Sequence, residues 1–164
     1  MVYPRGNRIE LPVVRKHRDL RKATVDALTL SKIALHEVKK ARVKLKALGQ
    51  TSLDEYLTAL ELVLERVVLR LTTITATGIA TRELIAPVLV LIKNATEYFM
   101  ALPPGITSSL HELEAALTIM FEQAPGDETL ESVFVDTRYK AETEKILEEA
   151  REEARKKLGE QLSS

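Results

Sequence analysis

Apolar residues recur at helical spacing along most of this chain, and the clearest run lies between residues 53 and 74. Alternating steps of four and three positions form an unbroken heptad seam there: Leu53, Leu57, Leu60, Leu64, Val67, Leu71 and Ile74. Ser52 and Glu55 form a capping-box pattern at its start. Four further apolar residues lie outside the seam: Leu62, Val63, Val68 and Leu69. One partner helix cannot cover so much apolar surface, so the pattern predicts a helix that is central in a bundle or buried by other copies of the chain.

A longer helix is predicted before this seam, from about Val13 to Leu48, with Gly49 as its C-terminal signal. One side of that helix is apolar and rich in alanine, with Ala27, Ala34 and Ala41 seven residues apart. Most of its cations fall on the opposite side: Arg18, Arg21, Lys22, Lys32, Lys39, Lys40, Arg42, Lys44 and Lys46. These nine residues are our candidate membrane-binding face. For any one lysine, simple solvation is the plainer interpretation.

The remaining pattern predicts three further segments and an all-α fold. Helices are expected at about 81–101 and at 109–123, the second opened by a capping box of Ser109 and Glu112. Residues 124–137 are expected to form a linker that contains a short extended run, 133–135. A polar helix is predicted from about Arg138 to Leu162, and its few apolar residues suggest that it needs a partner surface: Ile146, Leu147, Ala150 and Leu158.

Charge is distributed unevenly along a chain whose formal net charge is zero. Residues 1–50 carry 13 Lys and Arg against 4 Asp and Glu, whereas residues 101–164 carry 7 against 14. We interpret the sequence as a basic head followed by an acidic C-terminal helix. This polarity favours attraction to an anionic surface, and a tail that folds back on the head or recruits a basic partner.

Motifs for catalysis and for cofactor binding are missing from the sequence. It has no cysteine, no H-E-x-x-H arrangement, no glycine-rich phosphate loop and no G-x-S-x-G elbow. We therefore expect no enzyme activity, no cofactor and no metal site. The basic helix lacks the aromatic residues that stack on single-stranded nucleic acid, so we expect no specific nucleic-acid partner. Anionic lipid suits a row of Lys and Arg on a long helix better.

The run from Leu60 to Ile74 resembles the second-helix segment of archaeal ESCRT-III proteins, the Snf7-like cell-division proteins of the CdvB type. The downstream segments Leu84–Pro87, Leu102–Pro103 and Ser109–Met120 are similar to the next part of that family. The resemblance implies an ESCRT-III-like core over residues 1–123. It also implies a long antiparallel hairpin of the first two helices, held by the seam, with shorter helices packed on it.

The family resemblance also implies a function. Such subunits form homo-polymers or co-polymerise with paralogous subunits on anionic membranes, and the filaments remodel the membrane in archaeal cytokinesis. The implied location is cytoplasmic and peripheral, at the inner face of the cell membrane. A Vps4-like AAA ATPase is an implied partner, although the arginine-flanking leucines of its binding helix are replaced here by Ala150 and Ala154. The alternative is a soluble helical-bundle adaptor or regulator that binds one protein partner.

Overall fold

Two long helices pair at the start of the chain in this computed structural model, which describes residues 12–50, 53–99 and 101–163 (side chains 18–50, 53–99 and 101–160). The first helix, α1, spans Pro12–Ala47, and the second, α2, spans Asp54–Thr77. Arg42 of α1 bonds to Asp54, near the start of α2, while Leu20 and Arg21 lie beside Ile74, near its end. The two helices are therefore antiparallel, as the predicted hairpin requires.

Four more helices follow in chain order, and the described residues contain no strand. They are α3 (Arg82–Tyr98), α4 (Pro104–Gln123), α5 (Leu130–Val135) and α6 (Thr137–Ser163). Helix α1 packs against α2 and α4, α6 packs against α2 and α3, and α3 packs against α4. The all-α fold class is thus confirmed, and the five longer helices close a ring in the order α1, α2, α6, α3, α4.

The heptad seam of α2 lies in the core of this ring. Six of its seven residues are buried, and the first, Leu53, is half-buried at the helix start. Helix α2 contacts α1, α6 and α3 within the same chain, which confirms its predicted central position. The proposed capping residue Ser52 lies outside the described residues.

Glycine follows the ends of the first two helices, and the sequence predicts this for Gly49. Gly49 has φ +71°, in the left-handed region that glycine adopts at low cost. The N–H of Gln50 then donates to the carbonyl of Leu45, 2.9 Å away, which satisfies an otherwise orphaned helix carbonyl. Gly78 ends α2 in the same backbone conformation.

Two local predictions are wrong. Helix α4 begins at Pro104 rather than at Ser109, because Pro103 and Pro104 supply the fixed φ that favours a first helical turn. Residues 133–135 are helical rather than extended, since they belong to α5. A reciprocal capping box between Thr129 and Ser132 starts that short helix, so the predicted linker contains an ordered helical turn.

The predicted acidic C-terminal helix also needs correction. Residues 138–164 contain seven acidic and seven basic residues, so this segment is neutral. The acidic excess comes from residues 101–137, which contain seven Asp and Glu and no Lys or Arg. Among the described residues, the basic helix α1 touches α4 and makes no contact with α6. The acidic segment that meets the basic head is therefore α4, and the tail does not fold back on that head.

Arg82 joins α3 to the end of α4. Its guanidinium donates hydrogen bonds to the carbonyls of Phe121, Glu122, Ala124 and Glu128 at 2.6 to 3.2 Å. The backbone approaches so closely that a Cβ on Gly126 would lie 2.9 Å from the Arg82 Cβ. One cation thus binds carbonyls at the end of α4 and just beyond it, where the Phe121 carbonyl also accepts the N–H of Ala124.

We expect Arg82→Leu to lower the free energy of unfolding by about 2 to 3 kcal/mol, because those carbonyls lose a charged donor while remaining partly buried. Urea denaturation measures the change. Lys140→Leu, at an exposed position of α6, is the control and should change stability by no more than about 0.5 kcal/mol. Equal losses in the two variants would contradict this role for Arg82.

Tyr139 anchors the start of α6 to the segment before α5. Its hydroxyl donates to the Glu128 carboxylate at 3.0 Å. Partial burial and this hydrogen bond raise the pKa of Tyr139 from 10.0 to about 12. Because the folded-state pKa lies above the unfolded one, the stabilisation is complete below pH 10 and is lost as the pH rises towards 12.

The stability difference between the wild-type protein and Tyr139→Phe should therefore be constant up to about pH 9 and should shrink between pH 10 and 12. Urea denaturation of both proteins across this range provides the measurement. A difference that stays the same up to pH 12 would show that the Tyr139 hydroxyl does not hold its proton more tightly in the folded state.

Candidate membrane interface on α1

The outer face of α1 is turned away from α2 and α4. The buried residues of this helix, including Ala27, Ala34 and Val38, lie on the opposite side. Eight of the nine predicted membrane-binding residues are exposed: Arg18, Arg21, Lys22, Lys32, Lys39, Lys40, Lys44 and Lys46. At 100° per residue seven of them spread over the outer face and the flank beside α2, and Lys44 lies on the side of α4.

Arg42 is the exception, and its assignment to the membrane-binding face is wrong. Its side chain is only 24% exposed and lies between α1 and α2. Its Nε donates to Asp54 at 3.0 Å, and its Nη1 forms a close ion pair with Glu61. Partial burial alone would lower the pKa of Arg42, but these two carboxylates outweigh that effect and raise it. Arg42 is thus a structural bridge of the hairpin.

Apolar side chains stand among the exposed cations, which the sequence analysis did not anticipate. Val25 is 45% exposed and Val43 is 71% exposed. They are separated by 18 residues, which is five full turns of an α-helix, so they lie on the same line of the outer face. Ile33 is 46% exposed and lies about 80° around the helix from that line, towards the side of α4. Basic residues interleaved with exposed aliphatic ones are typical of helices that lie on an anionic membrane surface.

The carboxylates of α1 are separated from this basic face. Asp19, Asp26 and Glu37 follow one another at steps of 7 and 11 residues, which places them in one stripe of the helix. Asp26 lines the groove between α1 and α4 together with Glu112. The edge of α1 next to α4 therefore carries these three carboxylates, with Lys44, 18 residues after Asp26, in the same stripe; the other seven exposed cations lie on the outer face and the flank beside α2. An anionic membrane would approach the helix from those two sides.

The predicted partner-binding residues of the tail face the bundle. Leu147 and Ala150 are buried, and Ile146 and Leu158 are half-buried. Helix α6 uses this stripe against α2 and α3, and Arg151 and Arg155 add ion pairs to Glu55. The partner surface that this polar helix needs is supplied by its own chain, so an external partner would have to displace α6.

The described part of the chain shows neither a cluster of metal ligands nor a membrane-spanning helix. No cluster of three or more His, Asp or Glu residues suited to a metal ion occurs there. None of the described helices is long and apolar enough to cross a membrane. No family model matches the chain, and no curated protein or solved structure matches it significantly.

The bridging role of Arg42 separates it from its exposed neighbours on α1. We expect Arg42→Met to lower the free energy of unfolding by about 1 to 2 kcal/mol, because Asp54 and Glu61 lose their shared partner. Lys39→Met, at an exposed position, should change it by less than about 0.5 kcal/mol. Urea denaturation of the two variants makes this comparison, and similar stability losses would contradict the assignment.

Proposed function

We propose that this chain is an ESCRT-III-like subunit that binds anionic membranes through the outer face of α1 and assembles there into filaments. The observation that carries the proposal is the row of exposed cations with Val25 and Val43 among them, which no described helix covers. Each Lys or Arg near an anionic surface contributes roughly 1 kcal/mol of attraction. The eight exposed cations therefore supply ample binding energy, and the valines supply shallow insertion.

The resemblance of residues 60–74 to the second-helix segment of archaeal ESCRT-III proteins gives this membrane binding its cellular role in the proposal. Such a subunit would take part in membrane remodelling during archaeal cytokinesis, at the inner face of the cell membrane, with paralogous subunits in the same filament. A Vps4-like AAA ATPase belongs to the proposal as the motor that removes subunits. For the ATPase to bind α6, that helix would have to leave the bundle, which breaks the ion pairs of Arg151 and Arg155 with Glu55.

One surface favours a second candidate function, a soluble adaptor that binds a protein partner. The groove between α1 and α4 has an apolar floor that includes Ala116 and Leu30, with Asp26 and Glu112 among its lining residues. Ile119 beside it is 51% exposed. A basic amphipathic helix would complement this groove in shape and charge. An adaptor of this kind would stay monodisperse and show no affinity for lipid.

Flotation of the protein with vesicles of anionic lipid tests membrane binding directly. Lys39→Glu combined with Lys40→Glu should lower the affinity at least about thirtyfold, since two attractive contacts of roughly 1 kcal/mol each become repulsive. Binding of the wild-type protein should also fall steeply as salt is added. Circular dichroism should show an unchanged helix content, because both lysines are exposed.

The matched control is Lys156→Glu combined with Lys157→Glu. It makes the same change of net charge at exposed positions of α6, outside the face of α1. This variant should keep most of the vesicle binding. If both double variants lose binding equally, only the net charge matters and the α1 interface is wrong. If the wild-type protein does not float with anionic vesicles at low salt, the adaptor becomes the better explanation.

A further inference from the structure

The outer face of α2, between α1 and α6, exposes apolar residues near the middle of the helix. Leu69 is 69% exposed, and Leu62, seven residues earlier, is half-buried. Thr73 is exposed on the same side, and Leu62, Leu69 and Thr73 border one shallow surface groove. Two leucines at heptad spacing on an exposed helix face form the seam that a second helix would cover.

Charges flank the two leucines asymmetrically. Glu65 lies on the side of α1, as does Glu61, which bonds to Arg42 of that helix. Arg66 and Arg70 lie on the side of α6, where they share a groove with Glu142. Glu65, Arg66 and Arg70 are exposed and form no ion pair within the described residues. Arg66 and Arg70 stand one turn apart, so they repel each other unless an anion lies between them.

The neighbouring helices continue this alternation of charge. Arg21 of α1 borders α2 near Ile74, and Lys32 and Lys39 follow it by three and five helical turns on the same flank. Glu142 of α6 borders the opposite side of α2. Five strips therefore run side by side along this surface from α1 to α6. They are the cations of α1, the carboxylates Glu61 and Glu65, the two leucines, the cations Arg66 and Arg70, and Glu142 of α6.

We propose that this face binds a second copy of the chain, with the two α2 helices parallel and related by a two-fold axis along their length. Such an axis reverses the order of the strips, so each charged strip meets one of opposite sign. In an antiparallel pair, each strip would instead face the same strip of the second copy, so like charges would meet. In the parallel pair, Leu62, Arg66, Leu69 and Thr73 each lie opposite their own counterpart, and each Arg66 lies beside Glu65 of the other copy. Glu65 also meets Arg70 of the second copy. That offset of five residues is the usual interhelical ion pair of a parallel coiled coil.

The leucine strip of α2 is separate from the outer face of α1 and therefore goes beyond the proposed membrane binding, while Arg21, Lys32 and Lys39 border both surfaces. The leucine seam is short, so we expect a dimer that dissociates on dilution rather than a permanent one. Because lipid is not needed, the two proposals can fail independently. Vesicle flotation reports on α1, and the oligomeric state without lipid reports on α2.

Sedimentation velocity over a range of protein concentrations, without lipid, tests the pairing. The wild-type protein should shift from monomer to dimer as the concentration rises. Leu69→Asp should remain monomeric while still floating with anionic vesicles. Val135→Asp is the matched control, because Val135 is 78% exposed and lies at the end of α5; it should dimerise like the wild-type protein. A wild-type monomer at every concentration, or equal effects of the two variants, would overturn the proposal.

Charge reversal tests the pairing of Glu65 with Arg70. Glu65→Arg alone and Arg70→Glu alone should each weaken dimerisation by roughly tenfold or more, because two symmetry-related ion pairs become repulsive. A mixture of the two variants should form a heterodimer, since both contacts between positions 65 and 70 are again of opposite charge. If the mixture remains monomeric, Glu65 does not face Arg70.

The orientation can be tested by disulfide formation, because the chain has no cysteine. Thr73→Cys should form a disulfide-linked dimer readily under mild oxidation, since the two copies of residue 73 meet in a parallel pair. Ala115→Cys, at an exposed position of α4, is the control and should cross-link slowly. Equal rates for the two variants would exclude the parallel arrangement.

Discussion

The need to bury the apolar surface of α2 determines how the other helices are arranged. The apolar residues of α2 point in too many directions for one neighbouring helix to cover them all. Six of the seven seam residues are buried in the bundle. Helix α1 covers one side, α6 covers another, and α3 also contacts it in the bundle. Because α6 has few apolar residues, it is marginal as an isolated helix and depends on this contact, which the ion pairs of Arg151 and Arg155 with Glu55 reinforce. What remains uncovered on α2 is the narrow strip around Leu62 and Leu69.

The arrangement around α2 determines which surfaces of α1 are open. Helix α2 occupies one flank and α4 the other, so the outer face remains exposed with its cations and valines. The carboxylates of α1 lie in a single stripe, from which Asp26 faces the groove beside α4. Apart from Lys44, which continues that stripe, the exposed cations of α1 lie outside it. A formal net charge of zero therefore conceals a strongly cationic face, and this segregation of charge is what favours an anionic membrane as the ligand.

Long periodic segments were predictable from the sequence, and short or long-range features were not. The heptads of α2 and the glycine after α1 gave correct helices, because they reflect burial and backbone geometry over many residues. The run 133–135 is too short to show a period, so its helical state depends on the Thr129 cap that the sequence analysis did not weigh. Arg42 looks like its lysine neighbours in a helical projection, and only the folded hairpin brings Asp54 and Glu61 to it. The charge of the tail was misassigned because a single count over residues 101–164 merged acidic α4 with neutral α6.

Electron microscopy of the purified chain with anionic vesicles at low salt shows membrane binding and assembly in one image. We expect filaments, rings or tubules on the surface of these vesicles, and none on vesicles of neutral lipid. Bare, round vesicles of anionic lipid would contradict the proposal that this chain assembles on membranes through α1.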